Sequence, residues 1–305
     1  MRILILGAAG QVGFELSRSL AGLGQVLTAD RVADPALGVD LAIDIGDPVA
    51  LGERVIALAP DVIVNAAAYT AVDQAEDEPE LADRINHLAL VALGQAARRR
   101  NALVLHYSTD YVFDGQGTAP YREDHATAPR SVYGRSKLAG EQAVTASGCR
   151  HLILRTQWVF GSHGGNFLRT ILRLAREREQ LRIVADQFGA PTAARLIADV
   201  TAQILGRQAG GLQVADGVYH LAASGRTTWH EYASFVVERA RACPALGQGL
   251  KVREIVPITT ADYPLPAKRP ANSLFDCGKL ERAFGLRMPN WQRGVELCVA
   301  ELAAR

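Results

Sequence analysis

Tyr133 and Lys137 stand four residues apart in the run Tyr133-Gly134-Arg135-Ser136-Lys137. On a helix this spacing sets a phenol and an ammonium on one face, a turn apart. A phenol has an unperturbed pKa of about 10 and is a poor acid–base group near neutrality. A neighbouring ammonium stabilises phenolate and draws that value toward the working range. The same lysine can hydrogen-bond a ribose. Surface neighbours also show this spacing, so its meaning depends on what else the chain places nearby.

A second cluster is Tyr107-Ser108-Thr109-Asp110-Tyr111. The apolar run Leu103 to Leu105 passes here into two hydroxyls and a carboxylate flanked by tyrosines. A simple turn would use Gly, Pro or Asn. Parallel sheets bind ligands beyond the C-terminal ends of their strands. At such an end Ser108 or Thr109 can donate to a carbonyl oxygen that gains negative charge as hydride arrives. The cluster is expected to face Tyr133 across that carbonyl; for Ser108, capping a turn stays open.

A third group is Gly7-Ala8-Ala9-Gly10-Gln11-Val12-Gly13. Its spacing is G-x-x-G-x-x-G rather than G-x-G-x-x-G. Glycines at a strand-to-helix bend let backbone N–H groups approach a pyrophosphate at a helix N-terminus. Asp30 follows about twenty residues on, where a carboxylate accepts from a ribose 2′-hydroxyl, which favours NADH. Arg31 comes next and suits the 2′-phosphate of NADPH. The cofactor is therefore NADPH or NADH.

Positioning these groups requires a regular scaffold. RILILG (2–7), QVLTAD (25–30), DVIVNAA (61–67), ALVLHYS (102–108) and HLILR (151–155) read as strands buried on both faces. Helical spacing fills 11–22, 47–58, 74–100 and 132–147, the third with Leu81, Ile85, Leu88 and Val91 on one side. Such alternation predicts a parallel sheet with right-handed crossovers. After residue 156 the segments shorten, with Gly- and Pro-rich loops and helices at about 166–178, 194–207, 228–242 and 290–304. The fold class is α/β: a doubly wound parallel sheet of Rossmann type over 1–156, and a smaller mixed α/β substrate lobe over 157–305, interleaved with the first.

The chain has 305 residues, 49% hydrophobic and 21% charged, with a net charge of +1. That balance suits a well-buried globular protein and gives no reason to expect nucleic acid or membrane as a partner. Its four cysteines form no C-x-x-C pair, which argues against a zinc site or disulfide framework and fits a reducing cytoplasm.

Together, GAAGQVG, VNAAAYTAVD, HYSTDYVFDG, YGRSK, RTQWVFG and DQFGAPT resemble the extended short-chain dehydrogenase/reductases, and among them the dTDP-4-dehydrorhamnose reductase family. The resemblance runs across nearly the whole chain. GQVG, STDYVF and DQFGAPT are particular to this branch, whereas Y-x-x-x-K marks the entire superfamily. It implies reduction of a dTDP-linked 4-keto sugar by NADH or NADPH, in dTDP-L-rhamnose synthesis.

Position by position, the resemblance implies that Gly10, Gln11 and Val12, between Gly7 and Gly13, hold the pyrophosphate, with Asp30 by the adenosine ribose. Asp44 and Ile45 would flank the adenine, Ala68, Tyr69 and Thr70 would line the dinucleotide groove, and Tyr107 would touch the cofactor. Thr109 and Asp110 would contact the sugar, Tyr133 would donate the proton, Lys137 would hold the ribose and tune Tyr133, and Trp158 would pack on the sugar nucleotide. Arg269 in KRPANS could pair with a diphosphate or lie on the surface.

Two positions depart from the family pattern. Tyr69 stands where His is common. Arg195 stands where one of the glutamates that hold magnesium in some family dimers would be, while Glu15 is kept. Any homodimer is therefore expected to be independent of magnesium. Within the superfamily, a dehydratase would carry a second carboxylate after the threonine, but Asp110 is followed by Tyr111. A catalytically silent subunit would have no need of Thr109, Tyr133 and Lys137 together.

Overall fold

The computed structural model describes residues 1–211 and 215–304, so residues 212–214 and 305 of the lobe expected over 157–305 lie outside the description. Six strands, β1 (Arg2–Leu6), β2 (Gln25–Asp30), β3 (Leu41–Ala42), β4 (Val62–Asn65), β5 (Leu103–Thr109) and β6 (Arg150–Thr156), join the strand Gly217–His220 in one parallel sheet. Its order is Gly217–His220, β6, β5, β4, β1, β2, β3. The order reverses between β1 and β4, and a crevice at such a reversal is where a doubly wound sheet takes its ligand.

β5 is buried at all seven positions, as a strand covered on both faces must be. Period-2 alternation divides the strands between two cores. Ile3, Ile5, Leu103 and Leu105 pack with Leu16 and Leu20 of α1 (Gln11–Leu20), and with Ile197 and Ile204 of a helix spanning Ala194–Ala209. Leu4, Leu6, Ile63 and Val104 face the other way. There they meet Leu51 and Val55 of α2 (Pro48–Leu58), whose N-cap is Asp47.

The long helix expected over 74–100 is broken. After a 3-10 turn at Gln74–Glu76 come α3 (Pro79–Asp83), a wide π turn (Arg84–Leu88) and α4 (Ala89–Arg100). An extra residue in a helical turn rotates everything beyond it by about 100°. Beyond that turn the expected apolar face is displaced, with Leu88 exposed and Leu90, Leu93 and Ala97 in the core; Leu81, before it, is exposed as well. Here α4 packs against α5 (Val132–Ala146).

The first 156 residues do not make the sheet layer alone. The helix Ala194–Ala209 covers one face, and Gly217–His220 pairs with β6 to extend the edge. The smaller lobe has its own core, with Leu168 and Ile171 of α6 (Phe167–Glu177), Tyr232 and Val236 of helix Trp229–Arg241, and Trp291 and Val295 of helix Trp291–Ala303. Strands Gln180–Val184 and Glu254–Ile258 pair in parallel beside them. Among the described residues no helix is long and apolar enough to cross a membrane.

Candidate active site

The glycine bend closes β1 onto α1. Gly7 has φ +81°, and a Cβ there would lie 2.6 Å from the Ala67 nitrogen. A Cβ on Gly13 would lie 2.0 Å from the Gly7 carbonyl oxygen. Gly10 is the N-cap of α1 and offers no side-chain acceptor, so the first amides of α1, from Gln11 and Val12 on, face outward as an anion site. The Gln11 side chain is engaged elsewhere: its Oε1 accepts from Asn166 Nδ2 at 3.0 Å. His163 stacks on Phe14 and bonds the Ala9 carbonyl oxygen at 2.8 Å. The segment 161–166 thus walls the bend, a contact between residues more than 150 positions apart.

Asp30, at the end of β2, accepts from the Ala9 amide at 3.0 Å and from the Arg31 amide at 2.8 Å. It braces the glycine bend. Asp44 is exposed and bonds the Gly46 amide, while Ile45 is buried in the core under α2. Of Ala68, Tyr69 and Thr70, which follow β4, the Tyr69 amide donates to Asn86 Oδ1 at 2.9 Å and its hydroxyl donates to Glu78 at 2.8 Å.

The candidate reacting groups meet at the end of β5. Thr109 caps a short 3-10 turn: its Oγ1 accepts from the Tyr111 amide at 3.2 Å and donates to Asp110 Oδ1 at 3.0 Å. Ser273 donates to the other oxygen of Asp110. Burial pushes the Asp110 carboxyl up to about 6, against the pull of these hydrogen bonds. Tyr133 lies in the first turn of α5, whose N-cap Ser131 accepts from the Gly134 amide at 3.0 Å. The Thr109 hydroxyl acts on the Tyr133 phenol, and Tyr111 stands edge-on to it at 5.5 Å.

Lys137 is buried one turn on, its Nζ 2.7 Å from the Tyr107 carbonyl oxygen and 3.1 Å from His106 Nε2. Burial draws its pKa down to about 8, with Glu141 acting the other way. This corrects the sequence expectation for Tyr133. Burial pushes the phenol above its ordinary value, and Thr109, not Lys137, is the group that opposes the rise. The result is a protonated phenol, the form a proton donor needs. Tyr107 is corrected as well: its phenol turns into the core and bonds Thr201 at 2.7 Å, so what it gives the site is its carbonyl. Ser108 is buried, and its hydroxyl has no hydrogen-bond partner.

Asn86, in the π turn, is a site residue for which the sequence holds no signal. Its amide pairs with both the amide and the carbonyl of Tyr69 and donates to Ser136 Oγ, which donates to the Tyr133 carbonyl. Gly140 permits this, since a Cβ there would sit 2.1 Å from the Asn86 carbonyl oxygen. On the other flank Arg155 of β6 grips Glu141 through two bonds of 2.9 and 2.6 Å, both side chains buried. The helix carrying Tyr133 and Lys137 is therefore clamped from both sides.

A family model described as the RmlD substrate binding domain matches residues 1–304. The dTDP-4-dehydrorhamnose reductase of Burkholderia thailandensis is 49% identical over 308 residues, covering 100% of both chains. That of Escherichia coli K12 is 47% identical over 302 residues, 99% of this chain and 98% of the relative. The chain belongs to the dTDP-4-dehydrorhamnose reductase family. A Bacillus anthracis dTDP-4-dehydrorhamnose reductase solved in complex with NADP superposes with a TM-score of 0.87 at 32% identity, over 98% of this chain and 99% of that one.

In the smaller lobe, Trp158 has φ +47°, a conformation that a bulky residue keeps only where its surroundings enforce it. The cause is local: its indole stacks on Trp229 at 3.6 Å and lies where a Cβ on Gly189 would reach it at 2.5 Å. Arg269 is neither loose on the surface nor unpaired. It bonds Asp73 at 2.6 Å and the Tyr111 hydroxyl at 3.1 Å, joining the lobe to the loop beyond Tyr69.

Glu15 and Arg195 lie side by side. Arg195 lies between two carboxylates, its Nε 3.5 Å from Glu15 and its Nη2 3.3 Å from Glu301. A guanidinium cannot ligate a cation. The residues present do not fit a divalent ion. The three line a cavity of about 140 Å³ that includes none of Thr109, Tyr133 and Lys137.

Proposed function

We propose that the protein reduces the C4 keto group of dTDP-4-dehydro-L-rhamnose to give dTDP-L-rhamnose, with Tyr133 as the proton donor. The observation that carries this reading is the convergence of Thr109, Tyr133 and Lys137 at the strand ends, beside the glycine bend. NADH or NADPH, when bound, supplies the hydride. Gly7, Gly10, Gln11, Val12 and Gly13 hold its pyrophosphate through backbone amides, Asp30 and Arg31 meet the adenosine ribose, and Asp44, Ile45, Ala68, Tyr69 and Thr70 border the groove. Lys137 takes the second ribose.

Each group in the chain then has a task. Thr109 and Asp110 orient the sugar, and Trp158 closes the pocket beyond it. As negative charge gathers on O4, the Tyr133 hydroxyl gives up its proton to that oxygen and is left as phenolate. The Thr109 hydroxyl, which donates to Asp110 at rest, turns its hydrogen to the phenolate, and the charge of Lys137 offsets it. The raised pKa of Tyr133 suits this direction, because a group that must donate has to arrive protonated.

An enzyme of this kind acts in the cytoplasm on a soluble sugar nucleotide, and any dimer it forms uses the Arg195–carboxylate contacts or another face, without magnesium. The deciding experiment is an absorbance assay of NADH and NADPH consumption with dTDP-4-dehydro-L-rhamnose. Failure to oxidise either cofactor would refute the reading.

A further inference from the structure

His106 is buried directly beneath the proposed catalytic pair, and the mechanism above makes no use of it. Its ring touches two nitrogen donors. Asn65 Nδ2 lies 3.1 Å from Nδ1, and Lys137 Nζ lies 3.1 Å from Nε2. A neutral imidazole has one N–H and one acceptor nitrogen, so it cannot accept from both. Burial, with the charge of Lys137 second and against a pull from the Asn65 backbone, holds the ring well below its ordinary pKa, so it is neutral.

The amide of Asn65 decides which nitrogen carries the proton. Its Oδ1 accepts from the Ala67 backbone N–H at 3.2 Å, which leaves Nδ2 facing the ring. Rotating the amide by 180° would only set its NH₂ against the Ala67 N–H. Nδ1 is therefore the acceptor, and Nε2 bears the hydrogen. That hydrogen points at Lys137 Nζ, which in turn donates to the Tyr107 carbonyl at 2.7 Å.

The bonds run one way: Ala67 N–H to Asn65, Asn65 to His106, His106 to Lys137, Lys137 to Tyr107. All four can form together only when Nζ has a lone pair. An ammonium there meets an N–H head-on and costs the chain one bond. We propose that His106, locked as the Nε2–H tautomer by Asn65, is a positioning residue that weakens the hold of Lys137 on its proton and keeps the lysine within reach of titration. This rests on the catalytic reading of Lys137 given above.

The other ionisable groups around Lys137 are Glu141 on its own helix, already paired with Arg155 of β6, then Tyr133, and Asp110 beyond Thr109. β4 brings only the uncharged Asn65, and the Tyr107 phenol is turned to Thr201 on the opposite face. His106 is thus the neutral group in direct contact whose proton can be redirected by a single change.

The test is nitrogen NMR of protein labelled at histidine and lysine, with the His106 signals assigned by their loss in His106→Gln. At neutral pH the expected ring shows a protonated Nε2 and a bare Nδ1. Asn65→Asp keeps an acceptor for Ala67 and turns a second carboxylate oxygen toward Nδ1. The proton should move to Nδ1, Nε2 should accept from the ammonium, and the Lys137 titration midpoint should rise by about one unit or more, a tenfold change in proton affinity. A wild-type ring protonated on Nδ1, or on both nitrogens, would overturn the proposal. So would an Asn65→Asp protein whose Lys137 midpoint stays where it was. Neither readout needs substrate, so a protein with the stated tautomer but no reductase activity would defeat the proposed function and leave this inference standing.

Discussion

Lys137→Met should change how stability depends on pH, and the size follows from the site. Lys137 is only 2% exposed, so solvent screening does not discount its shift. Burial takes it from 10.5 to about 8, and in the unfolded chain it returns to 10.5. Between these values the unfolded state binds more protons than the folded one, so stability rises with pH across that window. At about 1.4 kcal/mol per unit, the buried amine costs the folded state roughly 3 kcal/mol below pH 8, relieved as pH approaches the unfolded value. Between pH 7 and pH 9 the part recovered is about 1 kcal/mol. Methionine has nothing to titrate and lacks this recovery. It also loses the bonds to Tyr107 and His106, worth about 1 kcal/mol each, so the variant should be about as stable as the parent at pH 7 or slightly more so. Urea unfolding of both proteins at pH 7, 8 and 9 measures the effect. The variant's relative stability should fall by about 1 kcal/mol over that range. A difference that stays constant or grows in the variant's favour would show that Lys137 is not held as a buried amine.

Three other outcomes are expected. Tyr133→Phe should lower kcat by about 10²- to 10⁴-fold with NADH and NADPH binding preserved, measured by steady-state kinetics and fluorescence titration; near-parental turnover would remove Tyr133 as the donor. Gly140→Ala should destabilise the fold by about 2 kcal/mol and reduce kcat, since its Cβ must push α5 away from the Asn86 carbonyl; a neutral result in chemical denaturation would mean that the two helices separate at no cost. The parent should sediment identically in EDTA and in excess Mg²⁺, whereas Arg195→Glu, which sets a carboxylate beside Glu15 and Glu301, is the change expected to introduce magnesium-dependent association.

Most of the scaffold was legible because strands buried on both faces and capped helices carry local signals. The helix expected over 132–147 spans Val132–Ala146, and the one expected over 47–58 starts at its capping residue, Asp47. The interruption at Arg84–Leu88 was not legible, because a π turn has no composition of its own. It is held by what crosses it, namely Asn86 bonded to Tyr69 and Ser136, with Gly140 against its carbonyl. Arg269 was readable as a cation, but its partner Asp73 is 196 residues away. The same holds for Ser273 on Asp110, 163 residues apart.

The sequence by itself determined which groups could do chemistry. A glycine bend, an acidic strand end, a hydroxyl pair and a Tyr–Lys couple are recognisable because short-range spacing sets which backbone amides and which helix face they share. What only the tertiary structure decided is the state of those groups. Spacing placed an ammonium near a phenol and so predicted a lowered phenol pKa. The folded chain buries both, turns the ammonium toward Tyr107 and His106, and leaves the phenol protonated. Proton affinity depends on how much water is excluded and on which dipoles replace it, and those come from residues far apart in the chain.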